Sequence, residues 1–355
     1  MFKKFLPVKL FGYFSAFTFE QFDSKPVHYM RKILVLTVVL FGTLKASAQQ
    51  DPQFSMFMFN QLYFNPAYAG SDDAICAALS YRNQWMGFEG NPQTFLFSAD
   101  GPFSLPVPGF EDNQLAGGLT VWGDQIGQES TTGVKGTLAY RFKAGPGRLS
   151  VGTSFGFLQK SLGNEWDASQ DFLFDPSIPN GTTADGGFDM DFGLYYTIPK
   201  KLYVGISTTH LTAADLESAS EGGSQLNYNI ARHYYLTGGY EYEINSDWVL
   251  KPNLMVKLDG TVTSFDINAM VEYQSTIWGG ASYRLGDGIP VMVGYNYQMT
   301  GSGAGGGMLK AGIGYDITTN ELRQNSSGSL EVMVRYCFNV TIPPKVQRHR
   351  TVIFM

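Results

Sequence analysis

Few residues in this chain are spaced to do chemistry. Its four histidines, His28, His210, His233 and His349, are far apart and show none of the short separations that place two metal ligands on one element. Asp167, Asp171 and Asp175, with Asp185, Asp189 and Asp191 further on, offer the hard oxygen ligands that calcium takes. They lack the spacing of an EF-hand loop, and a solvated acidic loop is the better reading. Gly301 to Gly306 formally matches G-x-G-x-x-G, yet a strand pattern follows it where a phosphate cradle needs a helix, so it reads as a flexible turn. No Ser-His-Asp arrangement stands out. The sequence therefore leads us to expect no catalytic set, no metal and no cofactor.

What the chain does carry is a way of sorting side chains onto two faces. In a strand successive side chains point to opposite sides, so an apolar residue at every second position marks one face. From Ser329 to Asn339 one face reads Leu330, Val332, Val334, Tyr336, Phe338 and the other Glu331, Met333, Arg335, Cys337, Asn339. Val134, Leu138, Tyr140 and Phe142 oppose Lys135, Thr137, Arg141 and Lys143 in the same way. Phe265, Ile267, Ala269 and Val271 oppose Asp266, Asn268, Met270 and Glu272, and Leu309, Ala311, Ile313 and Tyr315 oppose Lys310, Gly312, Gly314 and Asp316.

A soluble β-sandwich with its apolar face inward produces the same alternation. Strand lengths near the ~9–11 residues that cross a bilayer, and aromatics toward strand ends, favour a barrel turned inside out in lipid. About fourteen such segments can be marked, at 74–83, 94–102, 114–124, 131–144, 148–161, 187–199, 201–211, 231–244, 248–259, 264–274, 277–286, 289–299, 308–318 and 329–340. The expected fold is all-β: a closed antiparallel transmembrane β-barrel of even strand number, both ends of the chain on the periplasmic side. Turns such as Ala144 to Gly147, Pro199-Lys200, Asn245 to Asp247 and Ser275-Thr276 then fall on that side. The long connections Gly163 to Gly186 and Thr212 to Ile230 fall outside, the usual asymmetry. Phe103 to Asn113 is long for an inner turn and Gly286 to Gly288 short for an outer one.

Composition agrees with short strands and tight turns: 355 residues, 16% charged, 15% aromatic, 41 glycines. A net charge of −6 argues against a nucleic-acid partner, which needs a clustered basic face. Arg31-Lys32, the apolar run Ile33 to Leu44 and Ala46-Ser47-Ala48 form an export signal with its cleavage pattern. The expected divisions are 1–48, an over-extended start plus signal peptide with the true start at Met30; 49–73, an N-terminal periplasmic plug or lid; 74–340, the barrel; and 341–355, a periplasmic tail. Cys76 and Cys337 belong to the first and last strands, which are neighbours only in a closed barrel. A disulfide is geometrically allowed there in an oxidising compartment, and two unpaired small residues is the plainer alternative.

Gln49 to Gly70, QQDPQFSMFMFNQLYFNPAYAG, is crowded with aromatics and methionines and has no alternation of its own. With Asn65 to Gly70, Tyr81-Arg82-Asn83-Gln84-Trp85 and Gly90-Asn91-Pro92-Gln93-Thr94, it resembles the PorP/SprF family of type IX secretion proteins of Bacteroidetes. The likeness continues through RHYYLTGGYEY, LKPNLMVK, WGGASYRLGD, VMVGYNYQ and the stretch from Ile313 to Phe338, across nearly all the mature chain. The resemblance implies an outer-membrane barrel supporting secretion or surface attachment of particular cargo, such as the large adhesins used in gliding motility. It also implies partners: outer-membrane lipid, apparatus subunits at the periplasmic face, and the C-terminal domain of the cargo adhesin. The family tends to end in an Arg-Phe-Leu-like tail; this chain ends Arg350 to Met355, so tail contacts are not carried over.

Two uses of the plug stand side by side. Pro52 suits a helix start and Asn65-Pro66 a stop, so Gln53 to Phe64 is expected as a short helix or an irregular plug. It either closes the barrel floor or offers Phe54, Phe57, Phe59, Asn65 and Pro66 to a partner as a deformable apolar surface. Tyr81, Arg82, Gln84 and Trp85, where the first strand meets its outer loop, either shape that loop or bind cargo. A small-solute porin with an open lumen is the alternative function, and an outer-membrane enzyme a more distant one.

Overall fold

Alternation in the sequence becomes inside and outside in the structure. The computed structural model describes residues 51–103, 114–163, 183–219, 225–259, 262–299 and 306–338. The expected signal peptide and tail, His28, His349, Asp167, Asp171, Asp175 and Gly301 to Gly305 lie outside the described residues.

The wall is built from β1 (Ile75–Asn83), β2 (Gln93–Phe103), β3 (Gln114–Ile126), β4 (Glu129–Ala144), β5 (Gly147–Leu162), β6 (Thr183–Ile198) and β7 (Leu202–Thr209). After a separate hairpin, β8 (Asp215–Ala219) and β9 (Gln225–Asn229), it continues with β10 (His233–Tyr240), β11 (Tyr242–Glu243), β12 (Trp248–Leu258) and β13 (Thr263–Tyr273). It ends with β14 (Ile277–Arg284), β15 (Gly288–Met299), β16 (Gly307–Thr318) and β17 (Ser329–Phe338). Every neighbour is antiparallel, β10 pairs with both β7 and β12, and β1 pairs with β17, so the sheet closes. β10 and β11 are one wall strand with a break in it, which gives a 14-strand barrel. The break has a cause: Pro252 in β12 has no N–H to donate, and the ladder lapses opposite it between the Gly239–Asn253 and Tyr242–Leu250 pairs.

All fourteen segments read from the sequence are therefore wall strands, with ends shifted by a few residues. The hairpin β8–β9 was not foreseen. It lies within the long Thr212 to Ile230 connection, and Leu216 from it is fully buried beside Phe54 and Phe57. A single buried leucine among polar residues carries no period-two signal long enough to read.

The outward face carries an apolar belt. Leu138 is 55% exposed and Ile267 57%, while their neighbours Thr137 and Asp266 are buried. Water would not tolerate such a belt, and lipid does. Aromatics fringe it on both sides: Phe103, Tyr240, Trp248, Tyr297 and Phe338 at the end where β1 begins, Tyr81, Tyr234, Phe265, Tyr283 and Tyr315 at the other. Among the described residues no helix is long and apolar enough to cross a membrane.

Closure brings Cys76 opposite Cys337 in the β1–β17 ladder, and the two are joined by a disulfide. The denatured, unreduced protein should show no titratable thiol, and two after reduction; two thiols without reduction would contradict the bond.

Candidate functional site

The lumen is filled by the chain's own residues 51–73. Short helical turns at Phe57–Phe59, Gln61–Phe64 and Pro66–Tyr68 give an irregular thread in place of a single helix. Asn65 and Pro66 do end the helical turn at Phe64, and the Asn65 side chain then caps the next turn by accepting from the Ala67 N–H.

The thread runs the height of the barrel. Asp51 lies among Thr209, His210, His233 and Tyr235, where β7 ends and β10 begins. Asn60 meets Ser80 midway, Asn65 donates to the carbonyls of Leu194 and Ile206, and Gly70 donates to Asp100. Asp72 and Asp73 reach the opposite rim, where they pair with Arg335 and with Arg141 and Arg148. The expectation placed 49–73 at the periplasmic mouth; its described part, 51–73, instead extends along the lumen from beside one rim to the other.

The wall is shaped to take it. Cβ atoms added to inward-facing Gly152 and Gly193 would stand 2.5 Å from the Ala67 nitrogen and 2.1 Å from the Asn65 Oδ1, closer than real contacts come. Glycine at these two positions is what lets the Pro66–Ala67 backbone lie against β5 and the Asn65 and Pro66 side chains against β6.

Three polar clusters hold the thread. In the first, Glu331 accepts the N–H groups of Ser55 and Met56 at 2.6 and 3.1 Å. Arg82 donates to Ser55 Oγ at 2.7 Å and pairs with Asp316 at 2.6 Å and Glu331 at 3.1 Å. Arg284, held by Asp266 at 2.7 Å, donates to the Phe54 carbonyl at 3.2 Å. Glu331 is 0% and Arg82 1% exposed, so these charges have only one another and the plug backbone to replace water.

The second cluster surrounds Asp51. His210 bridges Asp51 at 3.0 Å and Asp189 at 2.6 Å, and Lys135 pairs with Asp189 and Asp191 at 2.6 and 2.7 Å. Tyr235 donates to Asp51 at 3.0 Å and Lys257 to its backbone carbonyl at 3.1 Å. Just past β7, His210 has a left-handed backbone (φ +56°) that turns its side chain back into the lumen. Burial alone would raise the Asp51 carboxyl; His233, His210 and Lys257 hold it well below the usual carboxylate value. Burial likewise disfavours a charged His210, but Asp51 and the hydrogen bonds to Asp189 and Asp51 carry it up to about 9. The third cluster, around Asp72, Tyr68 and Arg335, sits beside the disulfide. Burial is again outweighed, and Arg335 lowers the Asp72 carboxyl.

The sequence-nominated residues divide three ways. Phe54, Phe57, Phe59, Asn65, Pro66 and Arg82 are buried in the lumen, where a partner reaches them only if the plug moves. Tyr81 faces lipid, donating to Gln93 at 3.0 Å, while Gln84 and Trp85 are half-buried in the β1–β2 loop, bonded to Pro92 and Ser329. Asp189 and Asp191, read with the acidic loop although the segment marked at 187–199 holds them, are buried and ion-paired on the inward face of β6. His210 and His233, unrelated by spacing, are brought together with Asp51 by the β7–β10 pairing. A cavity of about 10 Å³ beside them, lined by Asp51, Tyr63, Trp122, Lys135, Asp191 and His210, has room for about one water.

A closed antiparallel barrel with a lipid-facing belt, its lumen filled by residues 51–73, is an outer-membrane β-barrel. The chain belongs to the family of the type IX secretion system membrane protein PorP/SprF, whose model matches residues 46–336. Among solved structures it is similar to the Ralstonia pickettii toluene transporter TbuX, at 12% identity and TM-score 0.50, covering 79% of this chain and 93% of that one. It is also similar to the Pseudomonas putida toluene transporter TodX (13% identity, TM-score 0.48, 78% and 93% covered). A Pseudomonas aeruginosa FadL homologue follows (9%, 0.46, 78% and 92%). Such identities speak for the fold alone, and only the first likeness carries weight. No curated protein matches the chain in sequence.

Replacing Arg82 by alanine leaves Asp316 and Glu331 buried without their partner and should cost about 3–5 kcal/mol in urea unfolding from vesicles. A loss below about 1 kcal/mol would show that the cluster does not hold the plug. The raised His210 value makes a signed prediction as well. Its stabilisation is complete below about pH 6.5, the ordinary histidine value, and is lost as pH rises through about 9. Unfolding resistance should fall between roughly pH 7 and 9.5, and the fall should flatten in His210→Gln.

Proposed function

We propose that this barrel is a docking and attachment component of type IX secretion, serving particular cargo such as large adhesins of gliding cells, and not a general solute channel. The observation that carries this reading is the filled lumen: Phe54, Met56, Phe57, Ala67 and Ala69 are all 0% exposed inside the wall. A diffusion pore needs an open path, and in this closed state residues 51–73 and the β8–β9 hairpin stand in it. Recognition then falls to the loops and the two mouths, because closure leaves no free strand edge in the wall.

The family supplies the apparatus as the context. In our reading the end with the Ala144–Gly147 and Ile198–Leu202 turns faces the periplasm and apparatus subunits, and the end with the long connections faces outward toward the cargo's C-terminal domain. The signal at 1–48 would deliver the chain to the outer membrane by way of the periplasm.

Affinity purification of the tagged barrel from its native membrane should recover a type IX cargo protein or apparatus subunits. In planar bilayers the purified wild-type barrel should conduct far less than a variant lacking residues 51–69. A large steady conductance from the wild type, with no cargo or apparatus subunit recovered, would favour the small-solute porin.

A further inference from the structure

We propose that Asp51, His210 and His233 form a site for a divalent cation of zinc's type, which ties the amino-terminal end of the plug to the wall. One ligand atom from each of the three lies within 4.8 Å of the others. The His210 Nε2 to Asp51 Oδ1 separation of 3.0 Å is close to the ~3.3 Å between neighbouring ligands when bonds of ~2.0 Å point to the corners of a tetrahedron. Two imidazoles and one carboxylate make the mixed nitrogen and oxygen set that zinc accepts, with the fourth position left for water.

Two further observations point to a ligand. His233 is 2% exposed, its Nδ1 lies 3.4 Å from Asp51 Oδ2 and 3.1 Å from the Ala231 carbonyl, and its Nε2 is buried with no hydrogen-bond partner. A neutral imidazole keeps one nitrogen lone pair, and Nδ1 is the ring nitrogen set against the Asp51 carboxylate. His210, for its part, is oriented from behind: its Nδ1 meets Asp189 at 2.6 Å, the carboxylate–histidine arrangement that fixes a metal-binding imidazole. The water-sized cavity adjoins Asp51 and His210, where a fourth ligand would sit. Lys135 balances Asp189 and Asp191, and Lys257 bonds the Asp51 carbonyl, so the Asp51 carboxylate remains the charge a cation meets. Metal-free, His210 and Asp51 share a proton; loaded, the cation takes the proton's place and spans plug, β7 end and β10 start.

The test uses the full-length mature barrel, purified without a polyhistidine tag, stripped with chelator and dialysed against Zn²⁺ with Mg²⁺ in excess. About one equivalent of zinc should be retained, and the unfolding temperature should rise on loading. His233→Ala and His210→Ala should each lower the affinity at least about tenfold, whereas His349→Ala should not. Heat-modifiable migration in gels reports that each variant is folded. Failure of the folded wild type to retain zinc overturns the proposal, and so does undiminished binding in His233→Ala. Loss of binding in His349→Ala alone would place the metal at the tail and overturn it equally.

Discussion

The Glu331 carboxylate, fully buried, accepts two plug N–H groups and pairs with Arg82, and much of the structure depends on that arrangement. A barrel in lipid must turn its apolar residues outward, which sends every second residue of each strand into the lumen. Here those residues include Arg82, Lys135, Asp266, Arg284, Asp316, Glu331 and Arg335, all buried. A water-filled lumen would solvate them, whereas in this chain they pair across strands and meet the backbone of residues 51–73, with Arg82 Nε and one Asp316 oxygen left unpartnered. Wall and plug are thus each incomplete alone. Without the thread, Glu331 loses its backbone donors; without the wall, an aromatic-rich peptide has nothing to bury against.

Steric fit complements the charges. Along the thread, apolar residues enter pockets made by large wall side chains, as where Phe59 packs 4.9 Å from Trp278 and Phe64 packs 5.2 Å from Tyr235. At the Asn65-Pro66-Ala67 turn the wall offers glycine instead, and at Gly152 the plug's backbone itself makes the contact. The division is physical: side-chain contacts tolerate adjustment, backbone contacts do not, so the turn fixes the register of the whole thread.

Much of the wall is legible in the sequence, because a period of two is a local property and survives without knowledge of the neighbours. Val332, Val334 and Glu331 declare their faces in a single strand, and the Cys76–Cys337 neighbourhood follows from closure. The plug and the Asp51 cluster are different. Their geometry comes from contacts such as Ser55 with Asp316, separated by 261 positions, and no spacing within a strand encodes them. Asp189 reads as one more acidic residue because its partners Lys135 and His210 stand on β4 and just past β7, and His210 reads as isolated because its partner strand lies beyond a hairpin. Inward-facing charge was visible; which charge would find which was not.

The direction of the thread constrains how the lumen can open. Residue 73 is covalently continuous with β1 at one rim, while Asp51, Ser55 and Met56 are pinned near the other by His210, Glu331 and Arg82. A cork seated in one mouth could tilt out with its distal contacts intact, but a thread cannot. To clear the lumen, its amino-terminal anchors must break first and its Phe-rich part must then pass the glycine slot at Gly152 and Gly193. The buried charges at the far rim are consequently the first barrier to opening. A ligand that acts there, at the mouth away from the tether, has the greatest leverage on whether the barrel stays closed.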